Sequence, residues 1–121
     1  MHHLLLIDDD ESNRITLSAL LADEGFDVRE ARSCTEATRL LREGGPVDIV
    51  LLDQHLGDGL GANLVPIIRL RHPRSKIALM SGGFEDEDFP AGIDACFPKG
   101  EEFSTLLRSI EMMLLDACSL C

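Results

Sequence analysis

Val47-Asp48-Ile49-Val50-Leu51-Leu52-Asp53 is a short apolar run rich in β-branched residues, closed at its end by a carboxylate. Gly44-Gly45-Pro46 precedes it and Gly57-Asp58-Gly59 follows. Turn residues on both sides of so brief a run predict a strand buried on both faces, as in the interior of a parallel sheet. Asp53 is the first charge after the run, so its carboxylate is predicted at the strand's carboxyl end. Open α/β sheets place their binding crevice there, which makes Asp53 a candidate nucleophile.

Working outward, further apolar runs occur at Leu4 to Ile7, weakly around Phe26-Asp27-Val28, at Ile77 to Met80, and at Ala95-Cys96-Phe97. Segments of helical period separate them. Leu17, Leu20, Leu21 and Glu24 recur at three-to-four spacing, with Gly25 as a C-terminal stop. A second helix is expected from Ser33 or Thr35 to Gly44. A third starts near Gly61 and carries Leu64, Ile67, Ile68 and Leu70 to His72-Pro73, with Pro66 in its first turns, where a missing N–H costs least. The last, from Glu101 or Glu102, sets Phe103, Leu106, Leu107, Ile110, Met113, Leu114 and Ala117 on one stripe and leaves Met112 and Leu115 off it. Strand and helix alternating in this way require right-handed crossovers. The expected fold is α/β, a doubly wound five-stranded parallel sheet with helices on both faces. Between Ser81 and Lys99, Glu85-Asp86-Glu87-Asp88 and Pro90 leave no apolar stripe, so a fourth helix there should be short or degenerate.

The 121 residues, 45% of them hydrophobic, suffice for one core, and residues 1–121 are expected to form a single domain. No run approaches the ~18 apolar residues of a membrane span, and acids begin at Asp8 where a signal peptide would still be apolar. A cytoplasmic protein is expected, without membrane partners. The formal charge of −11 opposes direct nucleic-acid binding. Cys34, Cys96, Cys118 and Cys121 are expected as free thiols. Cys118-x-x-Cys121 has no second pair to complete a zinc site and reads as a frayed helix end.

Four of the five predicted strand ends bring polar chemistry to one edge: Asp8-Asp9-Asp10-Glu11, Asp53, Ser81 and Lys99. If the first and third strands are neighbours, Asp8, Asp9 and Asp53 repel one another unless a cation joins them. Mg²⁺ suits such a carboxylate set and pairs with phosphoryl groups. Ser81 and Lys99 supply donors for phosphoryl oxygens. Each feature also has an ordinary explanation, as a helix N-terminal charge run, a turn serine or a solvated lysine. Their convergence at one edge favours the functional one.

Leu4 to Arg14, Asp48 to Leu56, Ile77 to Gly82 and Pro98-Lys99 together resemble the receiver domain of bacterial two-component response regulators, over essentially the whole chain. The resemblance implies the flavodoxin-like strand order 2-1-3-4-5. It implies Asp53 as the residue phosphorylated by a sensor histidine kinase or a histidine phosphotransfer protein, and Mg²⁺ (or Mn²⁺) held by Asp8, Asp9, Asp53 and the backbone carbonyl of His55. Ser81 becomes the switch hydroxyl and Lys99 the phosphate-contacting amine. A downstream protein effector is implied, docking of the phosphodonor is implied near Ser12, Asn13 and Thr16, and a homodimer stays open. Phosphoryl transfer needs little beyond an in-line carboxylate, a metal and fixed donors. The module is therefore not expected to be an enzyme with a substrate of its own.

Some positions depart from the family. Cys96 stands where the switch aromatic is usual, and Gly100 follows Lys99 in place of a proline that is often cis, so a trans bond is expected. Pro98 precedes the lysine, tolerable on an edge strand. Gly57 and Leu60 replace a proline and an aspartate, which predicts a more mobile loop after Asp53, and the Ser81–Lys99 segment is short. These changes suggest normal phosphate acceptance with output through a non-standard surface such as the final helix. Two competing readings remain: a pseudo-receiver that only binds partners, and a phosphatase in which Asp8-Asp9-Asp10-Glu11-Ser12 resembles the D-x-D-x-[ST] motif of haloacid dehalogenase-type enzymes and Asp8 is the nucleophile.

Overall fold

The computed structural model describes residues 1–82 and 91–119, the side chains of 116–119 excepted. In chain order the elements are β1 (His3–Ile7), α1 (Glu11–Asp23), β2 (Asp27–Ala31), α2 (Cys34–Glu43), β3 (Ile49–Asp53), the two-residue strands β4 (His55–Leu56) and β5 (Gly59–Leu60), a 3₁₀ turn (Gly61–Leu64), α3 (Val65–Arg71), β6 (Lys76–Ser81), β7 (Ala95–Pro98) and α4 (Phe103–Ser119). The five long strands form one parallel sheet in the order β2-β1-β3-β6-β7. Setting aside the β4–β5 hairpin, this is the expected 2-1-3-4-5 arrangement.

β1, β3 and β6 are buried on both faces because a layer of helices covers each. Leu5, Ile7, Val50, Leu52, Ile77 and Leu79 meet Ala37 and Leu41 of α2 and Val65 and Ile68 of α3 on one side. Leu4, Leu6, Ile49, Leu51, Ala78 and Met80 meet Leu21 of α1 and Leu106, Ile110 and Leu114 of α4 on the other. Each fully buried leucine or isoleucine contributes about 1.5–3 kcal/mol of transfer free energy, so this alternation fixes strand register as well as stability. β2, the weak run in the sequence, lies at the sheet edge with Asp27, Arg29 and Glu30 along it. Charges of this kind protect an edge from pairing with other chains.

The helix ends follow local chemistry. Asp10 caps α1, its Oδ1 accepting from Asn13 N at 3.1 Å, and Gly25 ends it with φ +96°. Ser33 caps α2 by accepting from Glu36 N at 3.0 Å. Pro66 falls in the first turn of α3, as expected. Two residues assigned to core stripes face solvent instead: Leu20 is 39% exposed and Leu70 78%. In α1 only Leu21 is buried, since a helix lying over the sheet needs one contact row and Leu20 is turned about 100° from it. Met112 and Leu115 lie off the core side of α4, both well exposed.

Arg69 of α3 joins the start of β7 to its own loop. Its guanidinium donates to the carbonyls of Gly92 and Ser75 and pairs with Asp94 Oδ2 at 2.7 Å. Asp94 in turn accepts from Ile77 N at 2.8 Å. The expectation of a short or degenerate fourth helix falls largely on residues 83–90, outside the described residues. The same holds for Cys121 and for the side chain of Cys118. The Lys99–Gly100 peptide is trans.

Candidate functional site

Parallel pairing of β1 with β3 and of β3 with β6 brings the ends of three strands together, and β7 adds a fourth. Asp8, Asp53 and Ser81 are fully buried, whereas Asp9 is exposed. One carboxylate oxygen from each of Asp8, Asp9 and Asp53 lies within 4.8 Å of the others. That spacing lets one small cation touch all three. Lys99 Nζ approaches Asp53 Oδ2 to 2.9 Å; that oxygen makes no hydrogen bond of ordinary geometry, so the contact is an ion pair. The structure thus brings together the acidic residues and the lysine singled out from sequence. Ser81 stands at the adjacent strand end, where its carbonyl accepts from Lys99 N at 2.9 Å.

The electrostatics follow from burial. Loss of water pushes the Asp53 carboxyl above its usual range; Lys99 and the His55 N–H, 3.2 Å from Oδ1, counter part of this, and the Asp8 charge adds to it. For Lys99, burial acts to lower the pKa, but the Asp53 carboxylate, with Asp8 and Asp9 behind it, outweighs this and holds the ammonium above its ordinary value. Asp8 is fixed on both oxygens: Oδ1 accepts from Asp10 N at 2.9 Å and Oδ2 from Asn13 Nδ2 at 2.6 Å.

Other residues of the site were not singled out for these roles from sequence. Arg14 Nη1 donates to the Asp8 carbonyl at 3.0 Å while its Nε pairs with Glu30 at 3.1 Å, tying the end of β1 to β2. Gln54 is buried and held by three hydrogen bonds: its N–H donates to Met80 O, its carbonyl accepts from Gly61 N, both at 2.8 Å, and Oε1 accepts from Ala62 N at 2.9 Å. Gly61 sits so close that a Cβ there would lie 2.2 Å from the Asp53 carbonyl oxygen. The loop after Asp53, expected to be mobile, is closed as the β4–β5 hairpin. Its tip is bonded to α2 through Asp58, which the loss of a proline at position 57 does not prevent. Cys96 is exposed and Phe97 buried in the α1–α4 core, on opposite faces of β7, as the alternation of a strand requires.

A family model for the response regulator receiver domain matches residues 4–111. The chain belongs to that family. Among relatives, it is 40% identical over 83 residues to a putative NtrX-like response regulator of Rickettsia felis, covering 65% of this chain and 17% of that protein. It is 33% identical over 116 residues to the sensor kinase CckA of Brucella abortus, covering 92% of this chain and 12% of that one. The chain therefore spans only a small part of these relatives. Solved structures of like fold include a CheY-like receiver domain from Methanospirillum hungatei (TM-score 0.92, 24% identity, 100% of this chain and 99% of that one). Another is the response regulator TrrA of Thermotoga maritima in complex with Mg²⁺-BeF (TM-score 0.83, 23% identity, 93% and 99%). Receiver domains work in two-component signalling with histidine kinases and effector domains. Among the described residues no helix is long and apolar enough to cross a membrane.

Proposed function

We propose that residues 1–121 form one receiver unit that accepts a phosphoryl group on Asp53 from a histidine kinase or phosphotransfer protein, with Mg²⁺ held by Asp8, Asp9, Asp53 and the His55 carbonyl. The observation that carries this reading is the geometry of Asp53: a buried carboxylate at a strand end, 2.9 Å from Lys99 Nζ and flanked by two more carboxylates. Three acids so close fit a hard divalent cation, since an uncompensated cluster is repulsive. When bound, Mg²⁺ supplies charge neutralisation for the transferred phosphoryl oxygens.

An Asp53 carboxylate oxygen attacks phosphorus. The P–N bond of a phosphohistidine donor breaks, and the departing imidazole keeps the bonding pair and takes up a proton. Burial strips water from the nucleophile, and Lys99, already paired with it, is placed to follow charge onto the phosphoryl oxygens. Ser81, at the next strand end, is the switch hydroxyl of this reading. Its usual aromatic partner is replaced by the exposed Cys96, so output runs through another surface. For the donor, the groove lined by Asn13, Thr16, Leu17, Leu20 and Lys99 offers a docking face next to the site.

Asp8 is less suited than Asp53 to attack, because both its oxygens are already engaged by Asp10 N and Asn13 Nδ2. The test is intact mass after incubation with Mg²⁺ and acetyl phosphate. One phosphoryl adduct that disappears in Asp53→Asn is expected. An adduct that survives Asp53→Asn but is lost in Asp8→Asn would overturn the assignment in favour of phosphatase-like chemistry. No adduct from either acetyl phosphate or a phosphorylated phosphotransfer protein would leave a binding-only module.

A further inference from the structure

The first turn of α2 has two separate sources of acceptors. Ser33, the local cap, satisfies Glu36 N. The two N–H groups nearest the helix start are satisfied from elsewhere: Asp58 Oδ1 accepts from Cys34 N at 2.8 Å, and Oδ2 from Thr35 N at 3.0 Å and Thr35 Oγ1 at 2.8 Å. These donors hold the Asp58 carboxyl down at about 2. A helix needs no distant residue for this purpose, since water can serve exposed N–H groups. The bonds to Asp58 therefore matter chiefly for where they put Asp58.

Asp58 is at the tip of the β4–β5 hairpin, whose paired residues are His55 with Leu60 and Leu56 with Gly59. So short a ladder has no slack between tip and root. The hairpin meets two of the three clustered carboxylates: at its root His55 N donates to Asp53 Oδ1, and in its turn, next to Asp58, the Cβ position of Gly57 is 4.0 Å from Asp9 Oδ2. Cys34 of α2 lies against the other strand of the hairpin, its Sγ 3.9 Å from the Leu60 carbonyl. Leu56 anchors the middle of the loop in the core.

We propose that Asp58 is a positioning residue for the cation site of Asp8, Asp9 and Asp53, acting by clamping the hairpin tip to α2 and so holding the His55 peptide against the carboxylates. The inference rests on the reading of that cluster as a Mg²⁺ site. Because binding linkage is reciprocal, a cation at the hairpin root also secures the first turn of α2. The start of α2 thereby becomes sensitive to the state of the site, on a part of the surface that Cys96 does not affect.

The experiment is a Mg²⁺ titration of the whole chain followed by ¹H–¹⁵N NMR at the amides of Asp9, Asp10, Gln54 and His55, with exchange of the Cys34 and Thr35 amides measured alongside. Asp58→Ala is expected to weaken Mg²⁺ binding about threefold or more, below the 10–100-fold of a direct outer partner of a metal ligand because it acts through the hairpin. Asp58→Asn, which keeps one acceptor oxygen and the shape of the side chain, is expected to fall between Asp58→Ala and wild type. Ser33→Ala removes the other cap of the same turn without touching the hairpin, and should leave Mg²⁺ affinity roughly unchanged while lowering helix stability. Mg²⁺ should slow exchange at Cys34 and Thr35 in wild type and not in Asp58→Ala. Equal affinity loss in Ser33→Ala and Asp58→Ala, or no loss in either Asp58 variant, overturns the inference even if Asp53 accepts phosphate. A wild type that binds no Mg²⁺ removes this inference together with the assignment of the metal site.

Discussion

Gly61→Ala tests how the backbone around Asp53 is built. A Cβ at position 61 would lie 2.2 Å from the Asp53 carbonyl oxygen and 3.0 Å from both Asp53 C and Leu52 Cγ. Position 61 is not among the positive-φ glycines, so alanine is compatible with the local conformation and the cost is contact alone. Two of these contacts are backbone, which cannot swing aside. Relief needs a shift of about 1 Å, at the usual overpacking cost of about 1–3 kcal/mol. The same shift stretches the Gly61 N to Gln54 O bond, 2.8 Å in the native chain, adding about 1 kcal/mol. The sum, about 2–4 kcal/mol, lowers the thermal midpoint on the order of 10 °C for a chain of this size. Urea and thermal melts followed by far-UV circular dichroism measure it. Displacing Asp53 by about 1 Å should also slow phosphoryl uptake about 100-fold, read by intact mass over time. Gly57→Ala is the control: its nearest contact is Asp9 Oδ2 at 4.0 Å, and it should stay within about 0.5 kcal/mol of wild type. A Gly61→Ala protein as stable and as fast as that control would refute the reasoning.

Three further outcomes are expected. Asp53 has a native pKa above its unfolded value of 3.8, so its contribution to stability is present below that value and lost as pH rises through the native pKa. Asp53→Asn should then be more stable than wild type near pH 7 without divalent cations, with the gap closing in acid; a less stable variant at neutral pH would contradict this. Asp58 behaves in the opposite sense. Its carboxyl is held at about 2, so its capping contribution is present above about 3.8 and lost as pH falls through about 2, and carboxyl-carbon NMR should place its midpoint near the lower value rather than the ordinary one. Arg69→Ala strips the donors from Gly92 O and Ser75 O and the partner from Asp94. A loss of about 2–3 kcal/mol is expected, measured in urea with unchanged slope, and an effect below about 0.5 kcal/mol would mean that water replaces the guanidinium.

The fold was legible because its signal is hydrophobic pattern. Runs such as Leu4 to Ile7 and Ile49 to Leu52 are continuous only when both faces of a sheet are covered, and that condition implies parallel pairing. Asp8, Asp53, Ser81 and Lys99 were legible for a related reason: each is the first polar residue after, or the last within, such a run. The supporting residues left no comparable mark. Gln54 and Asn13 are ordinary polar residues whose importance comes from partners five or more positions away. Gly61 looked like a helix boundary, and only packing shows that it makes room for the Asp53 carbonyl. A missing proline at position 57 predicts a mobile loop, but proline is one of several ways to hold a turn. Asp58 does it with hydrogen bonds that span 23 and 24 positions of sequence.

The strand order has one more consequence. Gly44 and Gly45, both at positive φ, divide the chain into a front piece carrying β1 and β2 and a back piece carrying β3, β6 and β7. In the sheet the two pieces meet along a single seam, Leu4 to Ile7 against Ile49 to Leu52. Asp8 and Asp9 belong to the front piece, and Asp53, Ser81 and Lys99 to the back. Neither fragment holds a working cluster, and mixing the two should restore one only where the seam zips in register. The constellation is thus a built-in reporter of its own assembly: a slip of one residue along β1 would exchange its two buried faces and separate the carboxylates together.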